Sequence, residues 1–80
     1  MNLEYTICYT KTESGYMGQL LEWPEIISEG STIDECRSMV EDAAREMIAV
    51  YREDGLPIPQ GHSLFESITI TETENVSQPA

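Results

Sequence analysis

A single long amphipathic helix is the feature that most constrains how this 80-residue sequence can fold. Apolar residues separated by four and three positions lie on one face of an α-helix. The positions with this spacing are Cys36, Val40, Ala43, Met47, Val50 and Tyr51. A helix with one apolar face must bury it against another layer, so the rest of the chain is expected to supply a sheet.

The ends of this helix are marked by local signals. Thr32 and Glu35 have the spacing of a capping box, in which each side chain binds a backbone amide of the first turn. Asp34 and Glu35 also suit the positive end of the helix dipole. Gly55 is a typical stop signal, and Pro57 cannot continue a helix. We therefore predict a helix that ends at about Arg52 or Glu53 and is roughly 30 Å long.

The segment before the helix predicts three strands. Residues 3–10 alternate, with Leu3, Tyr5, Ile7 and Tyr9 on one face, which is typical of a half-buried strand. The polar stretch KTESG (11–15) predicts a hairpin loop, and residues 16–23 predict a second strand. Gly18 within it indicates the close approach of another backbone or a bulge. Pro24 has no amide hydrogen to donate, so it interrupts the hydrogen bonds between strands, and a short third strand is predicted at residues 26–28.

A fourth strand is predicted after the helix. In residues 63–72, Leu64, Ile68 and Ile70 lie on one side, and Phe65, Ser67, Thr69 and Thr71 lie on the other. The predicted fold class is therefore α+β, of order β-β-β-α-β, with one long helix packed on an antiparallel sheet. We expect a single domain over residues 1–72 and a flexible tail over residues 73–80.

Charge is the strongest feature of the composition. Asp and Glu number 15 and Lys and Arg number 4, for a formal net charge of -11. Such a chain repels phosphate backbones, so direct nucleic-acid binding is not expected. The acidity either attracts a basic partner or only confers solubility. The sequence shows no signal peptide and no apolar run of about 20 residues, which predicts a soluble cytoplasmic protein without membrane contact.

Nothing in the sequence indicates catalysis, a metal or a cofactor. His62 is the single histidine, and Cys8 and Cys36 are predicted on separate elements as reduced thiols. The helix carboxylates are expected to form a solvated face, in which Glu41 pairs with Arg37 and Arg45. Trp23 has two interpretations, since it either closes one end of the core or is an exposed anchor at an interface.

Several short motifs carry a resemblance to a known family. They are Gly15-Tyr16, the segment Leu21-Glu22-Trp23-Pro24-Glu25-Ile26, the helix entrance Ser28-Glu29-Gly30-Ser31-Thr32, and Gly55-Leu56-Pro57-Ile58-Pro59. In order and spacing, the sequence resembles HicB-type antitoxins in their short form. The resemblance implies a partial ribonuclease-H-like fold like that of the HicB N-terminal domain, without the nuclease carboxylates. The family's Gly-Cys pair is replaced here by Glu25-Ile26.

The resemblance also implies a function, which is to bind and mask a small basic mRNA-cleaving toxin of the HicA type. Many such antitoxins carry a C-terminal DNA-binding module, which this chain is expected to lack. A homodimer or homotetramer is expected as well, since a small domain gains burial by association. The expected contacts with the toxin are Glu22, Trp23, Glu25, Glu29, Asp34 and Glu35. The alternative is an orphan HicB-like homo-oligomeric binding module of unknown ligand, without a surviving toxin.

Overall fold

The computed structural model of the chain describes residues 3–61 and 64–73. Three strands, β1 (Ile7–Thr12), β2 (Gly15–Leu20) and β3 (Ile27–Gly30), form an antiparallel sheet in the order β1-β2-β3. One helix, α1 (Ile33–Glu53), follows and packs on the sheet. The predicted α+β class and the first four elements of the predicted order are confirmed.

The sheet follows the alternation seen in the sequence. Ile7 pairs with Leu20, and Tyr9 pairs with Gly18, so these positions face the helix. From residue 3 to residue 10, half-buried and exposed residues alternate, as predicted. Thr12 pairs with Gly15, so the hairpin loop is only two residues long and β1 extends further into KTESG than predicted.

Both helix ends have the predicted caps. The Thr32 hydroxyl accepts a hydrogen bond from the Glu35 amide at 3.0 Å, and the Glu35 carboxylate accepts one from the Ser31 amide at 2.5 Å. At the other end, the Leu56 amide donates to the Tyr51 carbonyl, while Gly55 has a φ of +70°. This is a Schellman motif, which requires the left-handed backbone conformation that glycine adopts without strain.

The core lies between the helix and the sheet and consists of Leu20, Trp23, Ile26, Cys36 and Val40. The predicted close approach at Gly18 comes from helix side chains and not from another backbone. A Cβ atom at Gly18 would lie 3.0 Å from both the Cys36 sulfur and Val40 Cγ2. The pairing continues through Gly18 on both sides, so the predicted bulge is absent from this part of the chain.

The predicted fourth strand is wrong for the single chain. Residues 64–73 form no strand, and Leu64, Ile68 and Ile70 are 96%, 74% and 75% exposed. The physical reason is that alternation makes a segment suitable for a sheet, whereas a strand also needs an edge to pair with. His62 and most of the predicted tail, residues 74–80, lie outside the described residues. Within residues 3–61 and 64–73, no helix has the combination of length and apolar character needed to cross a bilayer.

Candidate protein-interaction surface

The crossover, residues 21–26, connects β2 to β3 and contains half of the predicted contact set. The Ile26 amide donates to the Trp23 carbonyl at 2.9 Å, which closes a β-turn with Pro24 at its second position. Proline is favoured there because its fixed φ suits the turn. Among the described residues, every positive φ belongs to a glycine, so Glu25 has an ordinary backbone conformation. The turn therefore accommodates Glu25 without strain.

Trp23 is part of the core. Its side chain is 2% exposed and lies between Tyr51, at 4.9 Å between ring centroids, and Tyr5, at 6.1 Å. The 67° angle between Trp23 and Tyr51 is the edge-to-face arrangement that aromatic quadrupoles favour. The core interpretation of Trp23 is thus confirmed, and the exposed-anchor interpretation is wrong. In this conformation the ring is not available to a partner.

Glu22 holds the crossover against the residues before β1. Its carboxylate accepts hydrogen bonds from the Thr6 amide at 2.7 Å and the Thr6 hydroxyl at 2.8 Å. Desolvation raises the pKa of Glu22, but these hydrogen bonds favour the charged form more strongly and the pKa is lowered. The carboxylate is therefore engaged within the chain and contributes to the fold.

The acids at the helix entrance also have internal partners. Asp34 forms an ion pair with Arg37 at 2.8 Å. Hydrogen bonds from the Ser31 hydroxyl and amide lower the pKa of Glu35, because they stabilise its charged form. The ion pairs predicted through Glu41 are wrong. Arg37 and Arg45 each bind an aspartate three residues earlier, and the second pair is Arg45 with Asp42 at 3.1 Å.

Glu25 and Glu29 differ from the other predicted contacts because both are exposed and neither forms an ion pair or a side-chain hydrogen bond within the described residues. Glu29 pairs in register with Met17, and Ile27 pairs with Gln19, so these four residues lie on the sheet face opposite α1. Ile27 is 45% exposed. We call Met17, Ile27 and Glu29, together with Glu25 in the turn before β3, the acidic face.

The apolar part of the acidic face was not predicted from the sequence. A signal for it was present, since Ile27 and Glu29 have the same parity in a strand and must point to the same side. In a two-layer fold, one face of the sheet has no helix to cover it, so an isoleucine on that face remains accessible to another molecule.

The groups on this surface are of the kind that contact other macromolecules. It offers exposed carboxylates beside apolar area, and the four described cationic side chains, Lys11, Arg37, Arg45 and Arg52, lie on other parts of the chain. In the part of the chain that the structure describes, no group of three or more His, Cys, Asp or Glu side chains could hold a metal ion. No protein-family model matches the chain, and no curated protein is significantly similar to it.

Proposed function

We propose that this chain acts like an antitoxin, binding and masking a small basic ribonuclease of the HicA type. The observation that carries the proposal is the acidic face, in which Glu29 shares an uncovered sheet face with exposed Ile27 and Glu25 is exposed in the turn before β3. The motif resemblance points to the same class of partner. A protein interface typically has an apolar centre with polar groups at its rim, and the acidic face has this composition on a small scale.

Electrostatics favour a basic partner over any other kind. The net charge is -11, and the two ion pairs within the described residues involve Asp34 and Asp42, so they leave the acidic face uncompensated. A ribonuclease must present positive charge where it holds the RNA backbone. An acidic protein that covers this surface competes with RNA for it, and long-range attraction accelerates the encounter.

The test is the affinity for a purified HicA-type toxin, measured by calorimetry, together with inhibition of RNA cleavage. The variant Glu25→Lys with Glu29→Lys changes the net charge from -11 to -7, since each reversal adds two charges. The control, Glu46→Lys with Glu53→Lys, makes the same change on exposed positions of α1. We expect the first variant to weaken binding at least about tenfold and the control to weaken it by less than about threefold.

Equal losses in the two variants would mean that only the net charge matters and that the acidic face is not the contact surface. A wild-type protein that binds no HicA-type toxin would refute the proposed function itself.

The second candidate function is a homo-oligomeric binding module without a toxin. The exposed apolar side chains of residues 64–70 favour it, because they suit association between copies of the chain. A tagged pull-down from the native host separates the two candidates. A stoichiometric small basic protein supports the antitoxin function, whereas recovery of this chain alone at a defined oligomeric mass supports the module.

A further inference from the structure

An exposed apolar segment follows the packed part of the chain. We call residues 64–71 the arm. Its even-numbered apolar residues, Leu64, Ile68 and Ile70, are the three most exposed large hydrophobic side chains among the described residues. From Ser67 to Thr71 the isoleucines alternate with Ser67, Thr69 and Thr71, which is the pattern of a strand with one buried face, while Glu66 lies on the side of the isoleucines. The arm has the composition of a sheet strand but pairs with none of the described strands.

An apolar groove lies open at one edge of the sheet. It has a volume of about 270 Å³ and runs between the helix and the edge strand. Its apolar walls are Leu3, Tyr5 and Ile7 on the strand side and Val40, Ala44 and Ile48 on the helix side. The adjoining strand β1 pairs only with β2 within the described residues, so its other edge presents free backbone groups. Such an edge accepts an additional strand.

The arm and the groove are complementary on both faces. A strand added to β1 has the same pleat, so its side chains alternate between the helix side and the outer side. With Ile68 and Ile70 turned toward the helix, they enter the groove beside Ile7. Thr69 then lies on the outer face, next to the exposed polar positions of β1. The opposite register would place threonines in the groove and isoleucines in water.

We propose that two copies of this chain exchange their arms, each arm pairing with β1 of the other copy and filling its groove. The segment that precedes the arm, residues 57–59, is fixed and extended. Tyr5 donates a hydrogen bond to the Pro59 carbonyl at 2.6 Å, which fixes that segment on the core. Two prolines, Pro57 and Pro59, stiffen it in an extended conformation. Within the described residues, the single chain leaves the arm unpaired although the edge of its own β1 is free, and exchange of an identical element is a common route to a dimer.

The size of the buried surface is consistent with a stable dimer. A large apolar side chain buries on the order of 100 Å². Two isoleucines in each arm, with the groove surface that they cover, account for about 800 Å² over the two copies. Backbone pairing with β1 and the other side chains of the arm add to this area, toward the roughly 1,200–2,000 Å² of a standard interface. The charges of the two copies oppose association, since each carries -11. Screening by salt should consequently strengthen the dimer.

Sedimentation velocity on the full chain, over micromolar to millimolar concentrations, tests the proposal. We expect wild-type protein at twice the 9.0 kDa of the chain. Ile68→Lys with Ile70→Lys should weaken association by at least about 100-fold, because charged groups replace the side chains that fill the groove. The matched control, Ser67→Lys with Thr69→Lys, places the same charges on the outer face of the arm and should leave the dimer intact. Far-UV circular dichroism shows that each variant keeps the fold, since the arm lies outside the core.

A complementation experiment distinguishes exchange from other dimers. Ala44→Lys blocks the groove but leaves the arm intact, and the Ile68→Lys, Ile70→Lys chain has the opposite defect. Each should be monomeric alone, and a mixture should form a heterodimer held by one arm. A monomeric wild type, in which the arm returns to its own β1, would overturn the proposal. So would a dimer that the arm variant does not weaken, because its interface would then lie elsewhere.

Discussion

Gly30 lies where β3 ends beneath the first turn of α1, and substitution by alanine tests how closely the two layers pack. A Cβ atom at this position would be 2.8 Å from Cys36 Cα, 2.9 Å from the Glu35 carbonyl carbon and closer still to the Cys36 amide nitrogen. All three are backbone atoms, so no change of side-chain rotamer relieves the contact. Gly30 does not have a positive φ, so alanine adopts its backbone conformation and the cost is steric alone.

The magnitude follows from these distances. Carbon atoms in favourable contact are about 3.5–4.0 Å apart, so the first turn of the helix must retreat by roughly 1 Å. That retreat separates Cys36 and Val40, which are 0% and 1% exposed, from the sheet. Overpacking costs about 1–3 kcal/mol, and we expect about 3 kcal/mol here because the clash involves rigid backbone. A domain of this size has a free energy of unfolding of only about 4–12 kcal/mol.

Urea denaturation followed by circular dichroism measures this loss. Gly55→Ala is the control, because a Cβ atom there meets nothing within 4 Å but the φ of +70° is unfavourable for alanine. That substitution should cost about 1–2 kcal/mol, from the backbone alone. A loss at Gly30→Ala no greater than the loss at Gly55→Ala would refute the steric reasoning, since the clash would then add nothing.

Three further substitutions test local features of the fold. Thr32→Ala should lower the free energy of unfolding by about 0.5–2 kcal/mol through loss of the helix cap, while Thr32→Ser keeps most of it, as urea denaturation would show. Gly18→Ala should cost about 1 kcal/mol by the same assay, less than Gly30→Ala, because the atoms 3.0 Å away are side-chain atoms that can move. Glu22 has a lowered pKa in the folded chain, so its carboxylate adds to the free energy of unfolding above the ordinary glutamate pKa of about 4.3. This stabilisation is lost as the pH falls through the pKa of Glu22 in the folded chain. Glu22→Gln should therefore be less stable than wild type near neutral pH, and the difference should vanish in acid; a constant difference across that range would contradict the role of the Thr6 hydrogen bonds.

The elements that the sequence predicted well are those with local causes. The helix runs from Ile33 to Glu53 as expected, because the capping box and the glycine stop act within a few residues of each end. The predicted alternation of half-buried and exposed side chains through β1 was also correct. Successive side chains of a strand point to opposite faces, so this pattern can be read from neighbouring residues alone. These signals require no knowledge of what the segment packs against.

The features that the sequence did not predict depend on contacts between distant residues. Trp23 was open to two interpretations because the rings of Tyr5 and Tyr51 that enclose it come from opposite ends of the domain. The pattern in residues 63–72 predicted a strand that the single chain does not form, because alternation cannot specify an edge to pair with. Of the predicted contact residues, only Glu25 and Glu29 are exposed and form neither an ion pair nor a side-chain hydrogen bond in the described part of the chain. Hydrogen-bond geometry was needed to separate them from Glu22 and Glu35.

The two proposed interactions use opposite edges of one sheet. The order β1-β2-β3 places the groove at the β1 edge, whereas Glu25 and Glu29 lie at the β3 side, roughly 10 Å away across two strand spacings. A dimer formed through β1 would therefore leave both acidic faces accessible. The two interactions also differ in the sign of their salt dependence. Association of two chains of charge -11 is opposed by repulsion and strengthens with salt, whereas binding to a basic toxin is driven by attraction and weakens with salt. Ionic strength thus separates the two interactions even in a mixture that contains both, because raising it must favour the dimer while it releases the toxin.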